Sequence, residues 1–333
     1  MVDLAELGVV MPVFNEGSWV DKSIGALELA SQRAGWPTRI VVVDDGSTDS
    51  TTAHLDALAA AGRITLIRQP NAGRFAARLA GLANQTCEYV LLLDARVLLE
   101  PDALVSLRDR VTADPESAWN AHVYVHVEGN VWAAFWSALT KVFWRRYFAN
   151  PRPVAFGVDE FDHYPKGTGA FAAPRAAIQE AAGQFSSLFD EQNYSSDDTR
   201  LLRSIAAHRL IHLDPDFSCE YFGRDSASRW ARQVYFRGTT FVDGYVRTRA
   251  KAAVVAAALA AAVATLGVVG LRRAALPAAG VVASGWVGVG ILATRSGTSP
   301  SERRALLSLL PAFGVLFGAG FIRGLALALR KRP

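Results

Sequence analysis

Val41-Val42-Val43-Asp44-Asp45-Gly46-Ser47-Thr48-Asp49 is a run of β-branched residues that ends in two carboxylates, a glycine and helix-capping hydroxyls. Three consecutive valines suit a strand buried on both faces, as in a parallel sheet. Asp-Gly favours a turn, and Ser or Thr caps a following helix. Working outward, Leu7–Val13, Arg39–Val43, Ile64–Ile67 and Tyr89–Leu93 read as strands, while Gly17–Arg33, Ser50–Ala61 and Gly73–Leu82 carry helical patterns between them. This alternation predicts an α/β fold whose mainly parallel sheet has helices on both faces. Ligands bind such sheets outside the carboxyl ends of the strands. The polar clusters Asn15–Glu16, Asp44–Ser47 and Asp94–Arg96 all stand at those ends. For Asp44–Asp49 alone, two readings stay open: a turn with a helix cap, or carboxylates that accept hydrogen bonds from the base and ribose of a nucleotide.

The end of the chain has a different character. Residues 252–271, 274–293 and 305–322 are uncharged apolar runs, each about the 20 residues a helix needs to cross a hydrocarbon core of ~30 Å. They predict a multi-pass anchor behind a domain spanning 1–245, with the third crossing the least secure. With the catalytic domain on the cytosolic side, a third crossing leaves Arg330, Lys331 and Arg332 outside, against the positive-inside bias; a re-entrant third segment is the alternative. No basic segment followed by an apolar one opens the chain, so a cleavable signal peptide is not expected. Cys87 and Cys219 are the two cysteines, in no metal-ligand spacing, which suits a reducing, cytosolic setting. The net charge of +4 is partly local to Arg247, Arg249 and Lys251 before the first run and to the last residues. Basic residues there attract anionic membrane lipid, so no nucleic-acid partner is implied. In Val131–Phe148, Trp132, Phe135, Trp136, Leu139, Phe143 and Tyr147 recur at helical spacing with Lys141, Arg145 and Arg146 elsewhere on the wheel. That is either a core helix or one lying in the headgroup layer.

Six ordered motifs between residues 7 and 240 together resemble the family 2 glycosyltransferases of GT-A fold. They are Met11-Pro12-Val13-Phe14-Asn15-Glu16, then Val43–Asp49, Asn71-Ala72-Gly73-Arg74 with Ala77–Gly81, Leu92-Leu93-Asp94-Ala95-Arg96, Gly167-Thr168-Gly169-Ala170-Phe171, and Asp197-Asp198-Thr199-Arg200-Leu201 with Arg203. Arg232–Gly238, just before the first apolar run, is similar to the exopolysaccharide (succinoglycan-type) branch. The resemblance implies a Rossmann-like GT-A sheet, a nucleotide-sugar donor and an inverting displacement. Carried over by position, Pro12, Phe14 and Glu16 line the nucleotide pocket, Asp45 reads the base, and Arg74 or Arg78 touches the donor phosphates. Gly167 and Gly169 form a loop near the donor sugar. Asp198 takes the position of the general base, with Asp197 beside it; the other reading of Asp198 is a helix N-cap. Arg229, Trp230 and Gln233 are similar to an acceptor-side motif of processive synthases, but in the wrong order, which argues for addition of a single sugar.

One position departs from the family. Asp94 aligns with the first acid of its Asp-x-Asp, whereas Arg96 stands where the second acid helps bind a divalent cation, Mg²⁺ or Mn²⁺. Two unit charges ~4 Å apart interact by about 4 kcal/mol at an effective dielectric of 20, so a cation at residue 96 repels a metal. Either Arg96 neutralises the diphosphate itself, or it turns outward and Asp94 alone holds a metal, or activity is lost. The expectation is a membrane-anchored hexosyltransferase acting on a lipid-linked or cell-envelope glycan acceptor. A non-catalytic nucleotide-sugar-binding scaffold is the alternative.

Overall fold

The computed structural model describes residues 4–185, 187–189, 197–246, 248–269 and 285–330. The strands are β1 Leu7–Val13, β2 Thr38–Asp44, β3 Thr65–Arg68, β4 Tyr89–Leu93, β5 Val97–Leu99, β6 Ala118–Val125, β7 Val154–Phe156, β8 Ala170–Pro174 and β9 Ile211–Tyr221. The helices are α1 Trp19–Ala34, α2 Thr51–Ala60, α3 Arg74–Asn84, α4 Ala103–Ala113, α5 Val131–Phe143, α6 Arg145–Phe148, α7 Arg175–Gly183, α8 Asp197–His208, α9 Ala227–Phe241, α10 Arg249–Val269, α11 over 285–295 and α12 Pro300–Arg330. The chain divides into two units: residues 1–126, 150–185 and 197–223 form one, and 127–149, 186–196 and 224–333 the other.

In the first unit the strands form one mixed sheet of order β3-β2-β1-β4-β8-β6-β9-β5, with β7 also on β9. Every residue of β1 and of β4 is buried, as a strand covered by helices on both faces requires. β1 pairs in parallel with both β2 and β4, and β2 with β3. The chain therefore winds outward from β1 to β3 and restarts at β4 on the other side of β1. In open α/β sheets such a reversal is where ligands bind, which here points to the carboxyl ends of β1 and β4. Beyond β4 the sheet turns mixed, because β8 runs antiparallel to both β4 and β6. α1 buries Val20, Ile24 and Leu27, one face at helical spacing, in a core that also holds Met11, Trp36, Leu104 and Phe217.

α3 lies close on the sheet. A Cβ on Gly81 would collide with the Val10 side chain and stand 3.3 Å from Val43 Cγ2. The missing side chain lets the helix settle over β1 and β2, with Arg74 and Arg78 one turn apart.

In the second unit α5, α9 and α12 share an apolar core of Phe135, Trp230, Val234 and Leu306. Trp132 meets Trp230 at 5.3 Å between ring centroids, and Phe135 meets Phe313 at 5.2 Å. The tryptophan-bearing face of α5 is thus a packing face, while Val131 and Phe143 remain exposed. The helix also ends at Phe143, earlier than the periodicity to Phe148 suggests, before the short α6.

α12 starts in a capping box. Ser299 N–H donates to Glu302 Oε2 at 2.6 Å and Glu302 N–H to Ser299 Oγ at 3.2 Å. Ser137 and Lys141 of α5 also donate to Glu302, at 2.5 and 2.8 Å. Farther along, Gly320 and Gly324 meet α9, where Cβ atoms would run into the Tyr235 and Thr239 carbonyl oxygens, and Gly238 answers from α9 against Phe317. Small residues four apart allow such close helix contact.

Among the described residues, α12 is the one helix long and apolar enough to cross a membrane. Its 31 residues would extend about 46 Å at 1.5 Å per residue, and they contain the expected run 305–322. The first run begins within α10, whose described side chains reach Ala260. Of the second, 274–284 lies outside the described residues and the rest falls in α11.

Gly320→Ala should lower the melting temperature of the detergent-solubilised protein, because the new methyl meets a carbonyl that cannot move. Gly318→Ala on the same helix, with open space around it, should melt at or slightly above the wild-type temperature. Equal melting of the two variants would contradict the close α9–α12 contact.

Candidate active site

The loops at the carboxyl edge of the first unit are held to one another by side chains the sequence places just past each strand. Asn15, in the left-handed region at φ 54°, accepts from Thr48 N–H at 2.8 Å, while its own N–H donates to Ser47 Oγ at 3.1 Å. Thr51 Oγ1 accepts from the N–H groups of Glu16 and Gly17. Asp44 Oδ1 accepts from Ser47 N–H at 2.9 Å and closes the turn. Gly46, at φ 79°, passes so near Asn71 that a Cβ would lie 2.9 Å from its backbone nitrogen.

Asp45 has protein partners. Its Oδ1 accepts from Gln69 Nε2 at 2.7 Å and Ala72 N–H at 2.9 Å, and its Oδ2 from Gly73 N–H at 2.9 Å. With 3% of the residue exposed, it anchors the amino end of α3, where a carboxylate is favoured. The base-reading role expected of it has one lone pair left to work with. Pro12 is buried at the end of β1, and Phe14, immediately after, is 44% exposed.

Arg78 is the centre of the site. Its side chain is 3% exposed; Nη1 donates to Asp198 Oδ1 at 2.7 Å and Nη2 to Asp94 Oδ1 at 2.8 Å. Arg74, 46% exposed, reaches the same two acids more loosely, Asp198 at 3.1 Å and Asp94 at 3.9 Å. Thr168 Oγ1 donates to Asp198 Oδ1 as well. The sequence thus separates Asp94, after β4, from Asp198, on the first turn of α8, by about a hundred residues, and two arginines one helical turn apart bring them together. The observed partners of the Asp198 carboxylate lie outside its own helix. Burial pushes its carboxyl group up, but Arg74, Arg78 and the hydrogen bond from Thr168 outweigh this and hold it well below the usual carboxylate range. Asp197 opens α8, and its side chain lies outside the described residues.

Arg96 is turned inward. Its side chain is 10% exposed, Nε donates to Glu16 Oε2 at 2.5 Å, and the guanidinium lies 5.2 Å from the Trp19 ring centroid. The loop bearing Gly167 and Gly169 runs beside Asp94, whose N–H donates to the Gly169 carbonyl at 2.9 Å. Asn120 Oδ1 accepts from Gly167 N–H at 3.0 Å. A Cβ on Gly167 would meet nothing within 4 Å, and one on Gly169 would make ordinary contact with Asp94. Protein crowding therefore requires glycine at neither position.

Past this loop, Lys166 and Arg203 each lie 4.3 Å from the Phe161 ring centroid, and Asp162 pairs with Arg203 at 2.7 Å. Burial lowers the Lys166 ammonium to about 8, against the pull of Asp162. This cluster ties α8 to the loop, and the sequence showed no sign of it beyond Arg203. Arg229, Trp230 and Gln233 belong to the second unit. Trp230 is 3% exposed, its ring in the α5 packing face, while Arg229 is exposed, 3.5 Å from Asp225.

Residues 8–157 match glycosyl transferase family 2. The chain carries a family 2 glycosyltransferase domain. Curated relatives agree over a similar stretch. The undecaprenyl-phosphate 4-deoxy-4-formamido-L-arabinose transferase of Pseudomonas paraeruginosa is 33% identical over 107 residues, 31% of this chain and 32% of that one. The uncharacterized glycosyltransferase YaiP of Escherichia coli is 32% identical over 98 residues, 29% and 24% of the two chains. The matched part is thus about a third or less of each relative's length. Among solved structures, a mannosyltransferase from Pyrobaculum calidifontis in complex with GDP-Man and Mn²⁺ superposes with a TM-score of 0.57, 18% identity, and 96% and 87% of the two chains covered. That likeness establishes the GT-A fold.

A divalent cation such as that Mn²⁺ needs carboxylate oxygens available for coordination. Here Asp94 faces Arg78 and Arg74, and Glu16 faces Arg96. No group of three His, Cys, Asp or Glu side chains gathers among the described residues. Among the described residues, carboxylates engaged in this way by arginines do not fit a bound divalent ion.

Arg78→Met should destabilise the protein by about 2–4 kcal/mol, because it strands two partly buried carboxylates. Arg74→Met, at an exposed position, should cost under about 1 kcal/mol. Melting of the two variants side by side checks this; equal losses would mean that Arg78 is not the buried bridge.

Proposed function

We propose that this protein is a membrane-anchored inverting glycosyltransferase that moves one sugar from a nucleotide-sugar donor to a lipid-linked or cell-envelope glycan acceptor at the cytosolic membrane face. The observation that carries the reading is the joining of Asp198 to Asp94 by Arg78, just past the carboxyl end of β4. The lipid-linked acceptor draws support from relatives named for undecaprenyl phosphate, and the anchor from α12. A multi-pass arrangement rests on the two further apolar runs of the sequence.

In the proposed reaction the acceptor hydroxyl attacks the anomeric carbon as the bond to the diphosphate breaks, and the bonding pair leaves with the phosphate oxygen. The hydroxyl proton passes to the Asp198 carboxylate. Such a base contributes about 10²–10⁴-fold. While Arg74 and Arg78 hold it, this carboxylate is a weak base, and diphosphate oxygens compete for the same guanidinium donors. A donor that draws Arg74 away raises the proton affinity of Asp198 in the complex that must react. Pro12 and Phe14 would border the nucleotide.

Asp198→Asn keeps the shape and removes the base. Turnover of the matching nucleotide sugar should fall by about 10² or more, with donor affinity changed far less, because a base acts in the transition state. Near-normal turnover would remove Asp198 from the chemistry. Wild-type protein that binds donor but transfers to no polyprenyl-phosphate or glycan acceptor would favour the scaffold reading.

The pH profile gives a second check. Asp198 must be deprotonated, and its carboxyl lies below the usual range because of Arg74 and Arg78. The acid limb of kcat/KM should therefore lie below the ordinary carboxylate range in the wild type. In Arg74→Gln it should move upward, since removing a cation disfavours the charged form. An unmoved limb would assign it to another group.

A further inference from the structure

Three of the described acids at this edge are engaged by arginines. Glu16 is on Arg96, and Asp94 and Asp198 are on Arg78 and Arg74. Among the described side chains, these three carboxylates face three guanidinium groups. Had residue 96 been an acid, the charge here would be lower by two, which is the charge a divalent cation supplies. Two residues after Asp94 the chain thus supplies a cation of its own, paired with Glu16.

We propose that the donor diphosphate is held without a metal, by a guanidinium cradle in which Arg74 and Arg96 meet the phosphate oxygens and Arg78 keeps the acids in place behind them. The inference rests on the donor reading given above and deepens it. Arg74 suits the task because it is half exposed and its contacts to Asp198 and Asp94, at 3.1 and 3.9 Å, are looser than those of Arg78. A phosphate can therefore win it at little loss. Arg96 suits it for the opposite reason. Glu16 accepts from its Nε and the Trp19 ring centroid lies 5.2 Å from the guanidinium, so its orientation is set before the ligand arrives and little freedom remains to be lost. A guanidinium offers donors in a planar fork that matches phosphate geometry, which a lysine ammonium does not. On binding, a diphosphate would take the place of Asp198 and Asp94 at Arg74, while those carboxylates keep Arg78.

The test is calorimetric titration of the full-length, detergent-solubilised protein with UDP, GDP, dTDP and ADP, each in EDTA and in Mn²⁺ or Mg²⁺. We expect the nucleotide that binds to do so with the same Kd, within about threefold, in EDTA and in metal. Arg74→Gln and Arg96→Gln should each weaken binding tenfold or more, and Arg96→Lys should restore only part of the loss. Arg96→Asp, which sets two acids around Ala95, should make binding depend on Mn²⁺. Binding lost in EDTA and regained with Mn²⁺ in the wild type would overturn the cradle and leave the donor reading standing. Metal-independent binding that neither glutamine variant weakens would also overturn it, because the anion would then sit elsewhere. Absence of binding to any nucleotide under either condition would overturn the donor reading and the cradle together. The wild-type titration decides the matter should a variant fail to fold.

Discussion

A buried guanidinium fixes this site. Arg78 is 3% exposed and pairs with one acid from the end of β4 and one from the start of α8. An arginine cannot shed its charge at ordinary pH, and an uncompensated buried charge is strongly unfavourable. The fold must therefore keep both acids against it. The surrounding features serve that demand. Gly81 lets α3 approach β1 and β2, Asp45 anchors the amino end of the helix, and Thr168 adds a hydroxyl to Asp198. The Phe161, Lys166 and Arg203 cluster binds the rest of α8 to the same loop.

The helical unit follows a different logic. Its helices are joined where backbones come close, at Gly238, Gly320 and Gly324, and where Glu302 closes the start of α12 with Ser137 and Lys141. A polar cluster at the helix start and small residues along its length allow an apolar helix to be packed on one side and left uncovered on the other. That suits a helix with lipid as its remaining neighbour.

Much of the parallel half of the sheet was legible from the sequence. β1 and β4 fall where their continuous apolar runs lie, because a strand buried on both faces leaves an unbroken pattern. β5 to β9 are not legible there. Short strands such as Val97–Leu99 and Val154–Phe156 carry too few residues for a period, and their pairing with β9 joins segments more than fifty residues apart. At the site, Asp94, Asp198, Arg74 and Arg78 were named from motif positions, and the structure gathers all four. Their pairing was out of reach, because no local spacing encodes a contact between residues 78 and 198. Asp45 shows the converse: its position in the motif was plain, but its three protein donors depend on where the Gln69–Gly73 loop passes. Arg96 was recognised as a departure, and Glu16 as a pocket residue. Only the structure shows that each is the other's partner.

The central claim is that Arg78 holds α8 and the Gly167–Gly169 loop against the end of β4. Hydrogen–deuterium exchange of full-length Arg78→Met against the wild type, read by peptide, tests it most directly. Exchange should rise in peptides covering 167–174 and 197–208, and stay unchanged in 19–34, which α1 buries far from this contact in the sequence. Unchanged exchange over 197–208 would contradict the account, because α8 would then be held by something other than the buried arginine.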